Sequence, residues 1–334
     1  MSRGRSTTGG WASPALSLAL QVFAPIATGP YVVGIVALDD ETTCTHLSAG
    51  CPPDGRFEIG SVTKTMTATL LAGLAHEGVL DLDDPIGDYL DAGHNGDVTL
   101  RALATHTSGL PTLGPDLEAR RRSGSGSTLA MTPEAAEAAL RRARRDQAPG
   151  FRYSNFGYQL LGMAVERATG LPYPRLLDER LLRPLGMRQS GIGKDAGGPL
   201  VPGHGLRRPI GRIRRPLPAA GGVEATLDDL ARYLQACVHP PEGHLGQALW
   251  RTQQPEGIRR DARREVGLAW MLLDGGRLLT HTGSTPGFST AVAADRHLGR
   301  AFGVLHNRAG GSMALGAATL LLLGQLSRTS IGDG

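Results

Sequence analysis

Ser61 and Lys64, three residues apart in Ser61-Val62-Thr63-Lys64, carry a hydroxyl and an amine whose spacing can do chemistry. Three residues is about one helical turn, so at a helix start both side chains project from one face. Serine is a weak nucleophile until a base takes its proton. A lysine buried against an apolar helix is made such a base by desolvation, which lowers its pKa. Backbone N–H groups at the positive end of the helix dipole favour charge developing on Ser61. Lysine is rare in this chain: of 35 basic residues, all but Lys64 and Lys194 are arginine. A guanidinium stays protonated and could not replace Lys64 as a base. Lys194, among glycines and without a partner motif, reads as a loop residue.

Alone, Ser-x-x-Lys is unspecific in a chain with 17 serines. Its surroundings add weight. Phe57-Glu58-Ile59-Gly60 precedes it, Gly78 to Ile86 follows it, Tyr153-Ser154-Asn155 lies further on, and His281-Thr282-Gly283 stands in a strand-like stretch near the C-terminal end. In these motifs the chain, over residues 12–326, resembles the penicillin-recognising serine hydrolases: class C β-lactamases, D-alanyl-D-alanine carboxypeptidases and related esterases.

The resemblance implies a role for each motif. Ser61 attacks an ester or amide carbonyl and forms an acyl-enzyme, with Lys64 as base. Tyr153 relays a proton to the leaving group, and the Asn155 amide holds the substrate. Small residues in His281-Thr282-Gly283 let a substrate lie along the strand edge, and the N–H groups of Ser61 and Ser284 form an oxyanion hole. Many β-lactamases of the family have lysine where this chain has His281. Histidine there looks more like the carboxypeptidases, D-aminopeptidases and esterases, and it makes the charge facing a substrate carboxylate depend on pH. His106, in Leu103 to Pro111, reads as a hydrogen-bonded turn residue. No cofactor is implied, and the histidines lack metal-ligand spacing, so no metal is expected.

The elements that must position these groups can be read from pattern. An apolar helix over 12–24 precedes β-branched Tyr31 to Leu38 and a second strand over 43–48, joined by Asp39-Asp40 turn chemistry. A helix from Ser61 carries Met66, Leu70, Leu71 and Leu74 on one side and stops at Gly78. Residues 79–220 are helices and loops, with flexible polar stretches over 112–133 and 191–218 as candidates for substrate selection. Strands over 268–273, 278–282, 289–294 and 301–306 and a helix over 312–326 close the chain. With the resemblance, this predicts an α+β fold of the β-lactamase/transpeptidase type: an antiparallel sheet flanked by terminal helices, with a mainly helical insertion. The sheet domain is expected over 1–60 plus 221–334 and the helical one over 61–220.

Composition bounds the rest. The 334 residues suffice for a sizeable core. A net charge of +4 invites a nucleic-acid reading, but 3 Trp, 6 Tyr and 6 Phe supply few stacking platforms and no recognition module is present. Cys44, Cys51 and Cys237 are an odd number without Cys-x-x-Cys spacing, favouring free thiols over a Cys44–Cys51 bridge. The apolar stretch from Trp11 to Leu38 is interrupted by Gln21, Pro25 and Gly29-Pro30, so neither export signal nor membrane span is read and a cytoplasmic location is expected. That location points to an ester or amide of a small metabolite as acyl donor, with water or an amine as acceptor. The alternatives are β-lactamase or D-alanyl-D-alanine carboxypeptidase activity and, in another class, a non-catalytic penicillin-binding sensor.

Overall fold

The computed structural model describes residues 14–39, 42–115, 117, 132–146, 148, 150–193, 197–205, 209–210 and 218–329. Lys194 and much of loops 112–133 and 191–218 lie outside these residues.

In chain order, α1 (Pro14–Phe23) leads into the hairpin β1 (Val33–Asp39) and β2 (Thr42–Leu47). Strand β3 (Phe57–Glu58) and a 3-10 turn at Gly60–Val62 deliver the chain to α2 (Thr63–His76). The middle contains α3 (Leu100–Ala104), α4 (Pro133–Arg142), α5 (Asn155–Thr169) and α6 (Tyr173–Leu177), then short strands β4 (Gly191–Ile192), β5 (Gly203–His204) and β6 (Pro209–Ile210). A one-turn helix α7 (Pro218–Gly221) and β7 (Val223–Ala225) lead to α8 (Leu227–Val238) and α9 (His244–Thr252). The last part is β8 (Ile258–Arg259), β9 (Glu265–Val266), β10 (Met271–Leu273), β11 (Leu278–Ser284), β12 (Ser289–Asp295), β13 (Arg300–His306) and α10 (Ser312–Thr329).

The main sheet has eight antiparallel strands in the order β2-β1-β13-β12-β11-β10-β9-β8. Val33 stands opposite His306 and Asp39 opposite Arg300, so the first strand pairs with the last. Successive side chains point to opposite faces of a strand, and here both faces are covered. Val33, Ile35 and Ala37 of β1 pack with Phe302 and Val304 under α1 and α10, whereas Val36, Leu38, Val292 and Leu305 face the larger core with α8 and the helical part. This explains why β1 and β12 are apolar almost throughout rather than alternating. The fold is the expected antiparallel sheet between helices, of the α+β class.

Boundaries differ from the sequence reading at two places that bear on the site. The helix expected from Ser61 begins at Thr63, because Gly60, at φ +53°, turns the chain through a 3-10 step first. The strand expected from Leu268 begins at Met271. Residues 267–270 form a turn in which Gly267 N–H donates to the Trp270 carbonyl, with Ala269 at φ +71° and its N–H on the Ala104 carbonyl. All three cysteines are free thiols. Among the described residues no helix is long and apolar enough to cross a membrane.

Candidate active site

Ser61 sits in the 3-10 turn and Lys64 in the first turn of α2, a helix buried over most of its length. Lys64 is fully buried, and this desolvation holds its pKa well below the usual lysine value. Its Nζ lies 3.1 Å from Ser61 Oγ, 2.7 Å from Asn155 Oδ1 and 2.5 Å from the Ala220 carbonyl oxygen. A neutral amine has two N–H bonds and one lone pair. The amide and backbone oxygens can only accept, so they take the two N–H bonds and leave the lone pair for the Ser61 hydroxyl proton. The contacts therefore orient Lys64 as a base toward Ser61.

Tyr153 and Asn155 flank the N-cap of α5. Ser154 caps the helix by accepting from Gly157 N–H at 2.8 Å and donates its own hydroxyl to the Pro111 carbonyl at 2.7 Å, while Gly170 ends the helix in the left-handed region. This cap aims Asn155 at Lys64 and places the Tyr153 ring 5.0 Å from Lys64 Nζ. The Tyr153 phenol is hydrogen-bonded to Ser61, and burial pushes its pKa up to about 12. At neutral pH it is thus a proton donor, not a base.

His106 does more than fill a turn. At φ +61° and fully buried, it accepts the Ser154 N–H on Nδ1 at 3.1 Å, which puts its proton on Nε2. Its ring centroid lies 4.3 Å from that of Tyr153. Burial, then the neighbouring Lys64, holds it neutral. It is a positioning residue for the loop that carries Tyr153.

On the opposite wall, β11 runs against the turn that holds Ser61. A Cβ on Gly283 would lie 1.9 Å from the Ile59 carbonyl oxygen, and one on Gly60 would lie 2.7 Å from Ser284 N. Only paired glycines permit this approach, which brings the Ser61 and Ser284 backbones to one place where a carbonyl oxygen could meet both N–H groups. Below it, Thr285 donates to buried Glu58 at 2.7 Å.

His281 is buried, and desolvation followed by the proximity of Lys64 lowers its pKa to about 3. Its Nδ1–H donates to the Thr282 carbonyl at 2.9 Å, leaving Nε2 without a partner among the described residues. The sequence reading made His281 a charge that switches near neutral pH; in the structure it is uncharged throughout that range. Thr282 Cγ2 is directed toward Gly316 of α10, 2.6 Å from where a Cβ on that glycine would stand.

The structure thus brings Ser61, Lys64, Tyr153 and Asn155 together, with the Gly283–Ser284 backbone against the Ser61 turn and His281 within electrostatic reach of Lys64. Sequence reasoning missed the Ala220 carbonyl; His106, read as a hydrogen-bonded turn residue, is one and also stacks on Tyr153.

The Beta-lactamase family model matches residues 32–325. The D-alanyl-D-alanine-carboxypeptidase/endopeptidase AmpH of Escherichia coli (strain K12) is 33% identical over 192 residues, covering 54% of this chain and 49% of that protein. A beta-lactamase of Pseudomonas fluorescens is 30% identical over 206 residues, covering 58% of this chain and 54% of its own. These alignments span about half the length of the curated relatives. A solved class C beta-lactamase superposes with a TM-score of 0.82 at 21% identity, covering 94% of this chain and 97% of that one, which shows the fold. With the family model spanning most of its length, the chain belongs to the β-lactamase family.

Proposed function

We propose that this chain is a Ser61 acyl-enzyme hydrolase whose donor is a D-alanyl-type amide, as for a D-alanyl-D-alanine carboxypeptidase, with a β-lactam as second donor. The observation that carries the chemistry is the Lys64 amine, buried and bonded to Ser61, Asn155 and Ala220. Ser61 Oγ attacks the carbonyl carbon while its proton passes to Lys64 Nζ. The oxyanion is met by the N–H groups of Ser61 and Ser284. When the bond to the leaving nitrogen breaks, Tyr153 supplies the proton that nitrogen needs, and the Lys64 ammonium restores it to Tyr153. Water then attacks the acyl ester, releasing the acid and returning a proton to Ser61.

Support for the donor class comes from the relatives, one named as a carboxypeptidase/endopeptidase and one as a β-lactamase. The small-metabolite ester with an amine acceptor has no comparable support and gives way to this alternative. The test is D-alanine release from an N-acetylated peptide ending in D-alanyl-D-alanine, with intact mass measured after benzylpenicillin. D-alanine release and a mass adduct, both abolished by Ser61→Ala, are expected. Absence of release and of adduct overturns the reading.

A further inference from the structure

Helix α2 carries threonine at alternate positions, Thr63, Thr65, Thr67 and Thr69, although it is buried over most of its length. β-Branched residues are poor helix formers, and these four are held by their hydroxyls. Thr65 accepts the Tyr233 hydroxyl at 2.7 Å and donates to the Val62 carbonyl, and Thr69 donates to the Thr65 carbonyl. Thr63 and Thr67, four apart and so on one face of the helix, reach the 218–223 segment instead. Thr63 Oγ1 accepts the Val223 N–H at 3.1 Å, and Thr67 Oγ1 lies 2.7 Å from the Ala219 carbonyl oxygen.

Tyr173, the first residue of α6, completes the arrangement. Burial raises its pKa, so it stays a phenol, and its oxygen lies 2.6 Å from Thr67 Oγ1. Thr67 has a single hydroxyl proton; given to the Ala219 carbonyl, it leaves the oxygen to accept from Tyr173. The next residue, Ala220, offers the carbonyl that Lys64 Nζ meets. Gly162 of α5 makes room for this seating, since a Cβ there would stand 2.4 Å from the Ala219 Cβ. Thr63, Lys64, Thr67, Tyr173, Ala219 and Ala220 are all buried. Both ends of the 218–223 segment are thus fastened to the helix that carries Lys64.

We propose that Thr63, Thr67 and Tyr173 are positioning residues that clasp the 218–223 segment to α2, keep the Ala220 carbonyl on Lys64 and exclude water from its amine. The titratable groups facing Lys64 are Tyr153 and Tyr158, whose rings lie 5.0 and 5.5 Å from Nζ, with His106 and His281 in electrostatic reach. Burial keeps both phenols protonated and both imidazoles neutral, so none of them supplies a counter-charge. Desolvation is what depresses the Lys64 pKa. Loosening the clasp therefore admits water to the amine and returns its pKa upward. The effect on turnover rests on the proposed function, whereas the protonation of Lys64 is read without any substrate.

A chain with only Lys64 and Lys194 makes the test direct. In protein labelled with NMR-active carbon at the lysine Cε, the Lys64 signal is identified by its loss in Lys64→Met, and its shift against pH gives the titration, with Lys194 as internal reference. Thr67→Val keeps the shape and removes the hydroxyl; the Lys64 titration is expected to move to higher pH. Acylation of Ser61 by p-nitrophenyl acetate, with Ser61→Ala as blank, is expected to slow about tenfold or more at neutral pH, as for a misplaced catalytic group. Thr67→Ser restores both. Tyr173→Phe keeps the Thr67–Ala219 bond, so it moves the titration less but in the same direction, and it carries the test should Thr67→Val not fold. The double variant matches Thr67→Val alone, because the phenol acts through Thr67. Thr65→Val removes an equally buried hydroxyl turned toward Tyr233 and is expected to lower the melting temperature without moving the Lys64 titration. A titration that stays in place or falls in Thr67→Val, or moves as far in Thr65→Val, overturns the clasp. Failure of the unaltered protein to acylate, with the titrations as expected, overturns the proposed function and leaves the clasp standing.

Discussion

Lys64 shows what a single residue can contribute when its surroundings choose its protonation state. Burial disfavours the ammonium, and two acceptor-only oxygens orient the amine that remains. Lys64→Arg keeps a cation of similar length but cannot deprotonate, so kcat/KM for any turned-over donor is expected to fall by about 10³-fold or more. Tyr153→Phe keeps nucleophile and base and removes the proton donor, lowering kcat by about 10²–10⁴-fold. The kcat/KM profile of the unaltered enzyme should lose rate on its acid side as pH falls through the depressed pKa of Lys64. Ser61, Lys64, Tyr153 and Asn155 were legible in the sequence because their side chains carry the chemistry at recognisable spacing. Ala220 was not, since it contributes a backbone carbonyl that no residue type announces.

Elements act here through close approach. The contact between β11 and the Ser61 turn depends on hydrogen atoms at Gly60 and Gly283, where even one methyl group has no room. Gly283→Ala is expected to push β11 away from Ile59 and cost about 10²–10³-fold in kcat, as when one oxyanion donor is lost. Steady-state kinetics beside a thermal melt will check this: a large kcat loss in a protein that still melts cooperatively is the expected result. Long apolar strands were the easy part of the fold to read, because burial on both faces leaves continuous Val, Ile and Ala runs. The entry to α2 and the turn at 267–270 were misread, since a positive φ at Gly60 or Ala269 is imposed by tertiary contacts and not by local pattern. Helices α8 and α9 were left unassigned although Thr226 caps α8 and Asp228 and Asp229 fill its first turn.

Across the whole molecule, buried neutral histidines couple stability to acidity. His281 has its pKa lowered to about 3 and His306 to about 4, both chiefly by desolvation, and His106 is held well below its usual value by the same cause. The unfolded chain regains ordinary imidazoles and binds more protons below about pH 6.5, so stability is present above that pH and is lost as pH falls toward the folded values. Each such proton contributes a slope of about 1.4 kcal/mol per pH unit. Urea midpoints between pH 7 and 4.5 should fall accordingly, and His306→Gln should flatten the slope; a midpoint independent of pH would contradict the burial of these rings. Fold class and the succession of elements along the chain followed from pattern and resemblance, whereas this acid sensitivity needed the burial that only the structure gives. The pairing of first and last strands has a kinetic side as well. The Val32 N–H donates to Asn307 Oδ1 across 275 residues, and β11 reaches the Ser61 turn only within the sheet so closed. Such long loops are slow to close. Ser61 can therefore time its own folding: during refolding with excess acyl donor, covalent labelling should lag behind recovery of helical circular dichroism, and its onset marks the moment the two ends of the chain meet.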